Sequence, residues 1–304
     1  MKKYIILSLI LIILIFNLDI VMISVKDSAI LFFNKVFISL FPFMILSDIL
    51  FYYDYHIFLK NTFIGKFFSK IFNINSNSTI VFILSMLTGL PNNAVYINNL
   101  LDNGEINIED ANNLLTFSYF PSISFVIGNI GILIFNNIKI GLILYFSCLF
   151  NNLLIGLYFR KKNRNNIVTN KSNNNKMDFF DMLKKSIVKA INNLYLILSI
   201  IIIFTIIINL ISKYLTINKL CISILSGILE ITSGINTIGM LNIDFKYKLS
   251  LIVFILNFSS ISIIIQSKSI LSKYKINIKK ILIIKLIFSL IISFTLFLMY
   301  PSWI

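Results

Sequence analysis

The chain has 304 residues, 58% of them hydrophobic and only 13% charged, and its net charge is +15 from 27 Lys and Arg against 12 Asp and Glu. A soluble domain is nearer half apolar and a quarter charged, so this composition excludes a soluble globular enzyme and a disordered chain. The apolar runs are long and continuous rather than alternating, which argues against a β-barrel. An all-α polytopic membrane protein remains, and at about 20 apolar residues per span the chain can supply roughly seven to nine membrane elements. The basic residues lie in short loops between apolar runs, the pattern of positive-inside anchoring rather than of nucleic-acid binding. Cys148 and Cys221 lie inside apolar segments, and the single histidine, His56, ends an apolar run. They fit neither a disulfide framework nor a metal site, and no cofactor is implied.

Lys2 and Lys3 precede an apolar run at 4–16 that continues past Asp19 to Val25, with no small-x-small cleavage site. This predicts an uncleaved first helix, within 1–27, whose N-terminus is cytoplasmic. A second helix is predicted from 28 to 53, kinked by Pro42. In 55–75, Lys60, Lys66 and Lys70 alternate with Phe58, Phe63, Phe67, Phe68 and Phe72, which suits a helix lying flat in the cytoplasmic interface. Gly89-Leu90-Pro91-Asn92-Asn93 then interrupts an apolar helical stretch. Such a break frees backbone groups that cannot face lipid, so it should line an enclosed or wet cavity. An acidic turn (Asp102, Glu105, Glu109, Asp110) leads to a helix from 108, a second break at Tyr119-Phe120-Pro121-Ser122, and a helix at 138–159. A basic, Asn-rich linker at 160–186 separates the halves and should be cytoplasmic. The second half is predicted as a helix at 187–212, an interrupted segment at 218–241 with Gly227, Glu230, Ser233 and Gly234, a helix at 247–266, a basic loop and a last helix at 281–300.

The halves resemble each other. Leu84-Ser85-Met86-Leu87-Thr88-Gly89 aligns with Ile222-Ser223-Ile224-Leu225-Ser226-Gly227, and Phe120-Pro121-Ser122-Ile123-Ser124 with Phe258-Ser259-Ser260-Ile261-Ser262, both at an offset of 138. Parity agrees. Both the N-terminus and the linker should be inside, which requires 79–101 to be a re-entrant hairpin rather than a crossing. The second half then has three crossings and its own hairpin at 218–241. An odd number of crossings per repeat gives inverted repeats (28–159 and 187–304), with about seven full crossings and two hairpins in all. Inverted repeats with broken helices belong to secondary transporters.

Glu230 is the leading ionisable group inside a membrane segment. It could bind a cation, carry a proton or hydrogen-bond a substrate; the alternative is a carboxylate that caps a helix break. Asp48 reads as an interfacial acid at the end of the second helix. Half-helix N-termini at the breaks can present N–H groups and a positive dipole to an anion. Gly89, Pro91, Asn92, Asn93, Ser122, Glu230, Thr232, Ser233, Ser262 and Gln266 are the candidate substrate-binding residues. No P-loop, metal cluster, Gly-x-Ser-x-Gly or triad marks an enzyme.

At these same breaks the chain resembles the sporulation integral membrane protein YlbJ family, built on nucleoside-recognition (Gate) domains. The resemblance lies in Leu40-Phe41-Pro42-Phe43-Met44-Ile45-Leu46-Ser47, Thr88-Gly89-Leu90-Pro91-Asn92-Asn93-Ala94, and Gly104-Glu105-Ile106 followed by Glu109-Asp110-Ala111-Asn112-Asn113-Leu114-Leu115-Thr116-Phe117. It continues in Phe125-Val126-Ile127-Gly128 with Gly131, Leu229-Glu230-Ile231-Thr232-Ser233-Gly234-Ile235, and Phe258-Ser259-Ser260-Ile261-Ser262 with Gln266, so that it covers about 30–300. The chain departs from the family's Gly-Tyr-Pro-Ser-Gly-Ala-Lys at the first break, where the lysine is Val95. The family's paired asparagines are Tyr119 and Phe120 here, and its second-half histidine is Ile264. The resemblance implies a transporter of endospore formation, moving a small organic anion such as dipicolinate across a mother-cell or outer forespore membrane. A non-transporting spore-envelope scaffold and a nucleoside permease are the alternatives. The implied partners are the small solute and the lipid bilayer, with no nucleic acid; a homo-oligomer is compatible with the sequence.

Overall fold

The computed structural model describes residues 2–160, 178–215 and 218–299, and among these every regular element is helical. In the first half they are α1 (Lys2–Ile15), α2 (Leu18–Leu31), a π-helical segment (Phe32–Phe37), α3 (Ile38–Tyr52), α4 (Tyr55–Asn61), α5 (Phe63–Phe72), α6 (Ser76–Thr88), α7 (Asn92–Asp102), α8 (Ile108–Phe117), a second π-helical segment (Ser124–Ile134) and α9 (Ile138–Tyr158). The second half contains α10 (Phe179–Tyr214), α11 (Lys219–Leu229), α12 (Ile231–Met240), α13 (Phe245–Phe258), α14 (Ile261–Ile270) and α15 (Ile278–Met299). Among the described residues four stretches are long and apolar enough to cross a membrane: α9, α10, α13 with α14, and α15; the bent pair α1 and α2, counted as one broken span, makes a fifth. The chain is an all-α polytopic membrane protein, and its outward faces carry large apolar side chains such as Phe33, Leu133, Phe146 and Phe294.

The predicted single first helix is corrected to two, bent by 84°. The cause is Asn17, whose side chain is buried. Its amide donates to the Ile13 carbonyl (2.8 Å), and its oxygen accepts from Lys213 Nζ (2.9 Å) and the Tyr214 hydroxyl (2.8 Å) at the end of α10. Asn side chains compete with the helical ladder in this way. Pro42 sits inside α3, and the irregularity lies one turn upstream, in the π-helical segment 32–37. Extra residues per turn are a common way to absorb such a misfit. The flat helix predicted for 55–75 is two short helices joined at Thr62, whose hydroxyl caps α5 by accepting from Gly65 N–H (3.2 Å). The expected cytoplasmic linker lies mostly outside the described residues; its last residues, 179–186, are the first two turns of α10.

Lipid is as apolar as leucine, so packing and hydrogen bonds rather than water exclusion hold such helices together. One core is aromatic: Phe117, Phe72, Phe82 and Phe120, in that order, stand with ring centroids 5.0–5.1 Å apart in successive pairs. A second cluster zips α10 (Ala190, Leu194, Ile197, Ile201) onto Phe32, Leu40 and Met44.

At the shift of 138 positions read from the sequence, several element bounds of the two halves correspond, while α4 and α5 fall inside the single helix α10. Shifted by 138 positions, α7 falls on 230–240, where α12 runs Ile231–Met240. In the same way α8 falls on α13, the second π-helical segment on α14, and α9 on α15, each within a few residues. Asp48 and Ser186, also 138 positions apart, touch through a hydrogen bond of 3.1 Å.

Candidate functional site

Two helical hairpins build the site. In the first, α6 ends at Thr88, whose hydroxyl lies 2.9 Å from the Leu84 carbonyl and 2.7 Å from the Tyr96 hydroxyl on α7. Gly89 follows at φ +79°, and the Leu90–Pro91 peptide is cis. A Cβ on Gly89 would stand 2.7 Å from both Cβ and N of Ser122, so only glycine fits the conformation and the space. The first break thus packs directly on the second, and Asn93 Nδ2 donates to Ser118 Oγ (3.3 Å) across the same junction. At about 1.5 Å per residue, the 13 residues of α6 extend roughly 20 Å, short of a bilayer's ~30 Å hydrocarbon core.

In the second hairpin the break is a single residue. Glu230 is extended (φ −139°, ψ 122°) and its carboxylate caps α12: Oε1 accepts from Thr232 N–H (3.0 Å) and Oε2 from Ser233 N–H (2.6 Å). Of the roles open to Glu230, the structure shows the cap. A carboxylate here satisfies orphan helix donors and the positive end of the helix dipole. The helix N-terminus of α12 is therefore already occupied by an anion of the protein itself. The ends of α7 and α14 carry no side-chain cap. Behind Glu230 the two arms touch closely: a Cβ on Gly234 would overlap the backbone of Gly227. Between α13 and α14, Ser259 (φ 67°) and Ser260 (φ 52°, ψ 157°) both take left-handed backbone. Non-glycine residues there are costly and cluster at functional sites. Ser260 Oγ lies 3.0 Å from Ser262 Oγ.

A cavity of about 80 Å³ lies where these breaks converge. The first half contributes Pro91, Pro121 and Ser122, and the second contributes Glu230, Thr232 and Gln266. Apolar side chains of the first π-helical segment, α3 and α10 (Val36, Leu40, Ile197, Ile201) close it. Of the predicted residues, Pro91, Ser122, Glu230, Thr232 and Gln266 line this cavity. Gly89, Asn92, Asn93, Ser233 and Ser262 stand one layer behind, shaping the breaks. Glu230 is the one ionisable lining residue among those described. The volume holds a few waters, below the ~300–1,000 Å³ usual for organic ligands. A solute of that size enters only when the surrounding elements separate.

Asp48 is corrected from interfacial to buried. It is paired with Lys189 and accepts from Ser186 Oγ, while Lys189 Nζ also donates to Asn99 Oδ1 (3.1 Å). α3, α7 and α10 are thus tied beside the cavity. No local pattern announces a partner 141 residues away. Sequence reading also passed over Lys285, which is buried within α15. Its signal was present, since a lysine inside an apolar span is unusual in itself. Val95 and Ile264, at the positions of the family's lysine and histidine, are packed in the core.

No family model matches the chain, and no solved structure matches it. Over 299 residues it is 24% identical to the sporulation integral membrane protein YlbJ of Bacillus subtilis (strain 168), an alignment covering 86% of this chain and 73% of that protein. The chain is therefore similar over most of its length to a sporulation integral membrane protein, in agreement with the YlbJ-family resemblance of its motifs.

Proposed function

We propose that the chain is a permease of endospore formation, moving a small organic anion across a mother-cell-derived membrane, with dipicolinate as the candidate solute. The observation that carries this reading is the convergence of both halves' helix breaks on one cavity. Elements matched at the 138-residue shift, and the contact of Asp48 with Ser186 at that same separation, support two inverted repeats about a shared axis. The uncapped N-termini of α7 and α14 would orient the anion, with Ser122 and Gln266 as hydrogen-bonding groups. Glu230 would set the shape of α12 rather than touch the anion directly. Alternating access would open the cavity as one hairpin moves against the other, with the N-terminus on the cytoplasmic side.

A spore-envelope scaffold is the second reading. The small cavity and the full engagement of Glu230 favour it. Uptake of labelled dipicolinate into proteoliposomes, with empty vesicles as control and uridine as competitor, separates the readings. Saturable uptake supports the permease, and inhibition by uridine moves the solute towards nucleosides. Absent uptake from folded, inserted protein favours the scaffold.

A further inference from the structure

The short helix α5 has three faces. Gly65, Ser69 and Phe72 are buried against the protein, where the Phe72 ring packs on Phe82 and Phe117. Phe63, Ile64 and Phe67 face outward; Phe63 is 83% exposed, and its ring stacks on Phe67 of the same helix (6.2 Å). Lys66 and Lys70 make a third, exposed row. At about 100° per residue this row is turned roughly 60° from Phe63 and Phe67, and Ile64 lies on the opposite flank of those rings. α5 contains no Asp or Glu. Among the described residues neither lysine makes an ion pair.

The depth of α5 follows from its neighbour. A Cβ on Gly156 would stand 2.5 Å from the Phe72 ring. α5 therefore leans on the last turn of α9, a candidate span that ends at Tyr158. The 10 residues of α5 extend roughly 15 Å, about half a hydrocarbon core. A helix of that length at the end of a span lies along the membrane boundary. Other cations gather at the same end: Lys280 Nζ is 4.9 Å from the centroid of the Phe159 ring, and Arg160 follows Phe159.

Exposed rings at that depth can be covered by acyl chains or by protein. The lysine row decides between them. In a two-fold pair of α5 helices the same lysines would face each other, with no acid on the helix to offset them. Beside a lipid, a lysine keeps its stem among acyl carbons and lifts its ammonium to the phosphate layer. We propose that α5 is a binding surface for anionic phospholipid, with Phe63, Ile64 and Phe67 among the acyl chains and Lys66 and Lys70 on the headgroups. The proposal needs only the membrane setting of the chain and holds whether or not the chain transports.

The test uses the full chain with Cys221→Ser, which removes the exposed thiol and leaves Cys148 buried. A bimane dye is attached at Asn61→Cys, an exposed position just before the Thr62 cap of α5. The protein is reconstituted in phosphatidylcholine vesicles that contain a small, equal fraction of nitroxide-labelled phosphatidylglycerol or nitroxide-labelled phosphatidylcholine. Quenching should report about tenfold or more tighter association of the phosphatidylglycerol. That preference should fall to near one in Lys66→Gln/Lys70→Gln, persist in Lys66→Arg/Lys70→Arg and shrink at high salt. A dye at Phe294→Cys, exposed on α15, should show no preference. Equal quenching by the two lipids at position 61, or a preference that survives Lys66→Gln/Lys70→Gln, overturns the proposal. Weak quenching by both lipids means that a second copy or another protein covers this face, and overturns it as well.

Discussion

The two hairpins occupy equivalent places in the halves, yet their arms are held by opposite means. In α11–α12, Gly227 and Gly234 face each other and let the backbones meet. In α6–α7 the same positions, shifted by 138, are Gly89 and Tyr96. Tyr96 cannot allow that approach. It fills the gap instead, sharing a hydrogen bond with Thr88 and stacking on Phe51 at 5.5 Å. The breaks differ too. The first is made by backbone, a left-handed glycine and a proline; the second is made by a side chain, the Glu230 cap. The geometry of paired broken hairpins is shared, while the residues that produce it are not. Divergent sequences can therefore preserve helix ends aimed at one cavity.

This contrast can be broken from either side. The largest effect is expected at the second hairpin. Gly234→Val places a branched side chain where the Gly227 backbone lies, and should cost about 3 kcal/mol or more, read as a lowered thermal midpoint in detergent. At the first hairpin, Gly89→Ala meets both an unfavourable φ and the Ser122 contact; about 2 kcal/mol is expected. It should also slow uptake more than its stability loss explains, because it pushes apart the two breaks that form the cavity wall. Equal losses at Gly234 and Gly89 would contradict the difference between backbone contact and side-chain filling.

Glu230→Ala, which removes both cap acceptors, should lower stability by about 1 kcal/mol. Glu230→Gln keeps one carbonyl acceptor and should lose less. If the charge has a transport role beyond the cap, Glu230→Gln will lower uptake while its thermal midpoint stays near wild type. Full uptake by that variant would leave Glu230 with the cap alone.

The smallest effect concerns a tie between the halves. Tyr274, in the loop between α14 and α15, donates to Asp102 Oδ1 at the end of α7 (2.7 Å). Partial burial, then the Asp102 carboxylate, push its phenol up from 10.0 to about 12. The folded state thus favours the neutral phenol. Its contribution is complete below about pH 10 and is lost as pH rises towards 12. The midpoint difference between wild type and Tyr274→Phe should shrink over that interval and be constant at lower pH.

Much of this architecture was legible in the chain. Gly89, Pro91 and Pro121 have one physical meaning inside an apolar run, so two breaks of the first half could be placed to within a few residues. The 138-residue offset was read from the motifs aligned at the breaks of the two halves. The bend at Asn17 was not legible, because it depends on Lys213 and Tyr214 nearly 200 residues away. The burial of Asp48 depended in the same way on Lys189. Glu230 was legible as a residue, and the cap was one of its readings, but the sequence did not choose between them, since the same carboxylate in the same run could equally have faced a cation. The layer of each candidate was also hidden. Asn92 and Ser122 look alike as polar residues at a break, yet one is packed behind the cavity and the other lines it.

The most direct measurement places Ser122→Cys in a Cys148→Ala, Cys221→Ala background and follows modification by a small, water-soluble thiol reagent in proteoliposomes. Ser122 belongs to the cavity wall where the two breaks meet. Dipicolinate should slow modification of that thiol several-fold, with no effect on Ser272→Cys in the exposed loop between α14 and α15. Uptake of dipicolinate without any protection at position 122 would place the solute elsewhere and contradict a site built from the converging breaks.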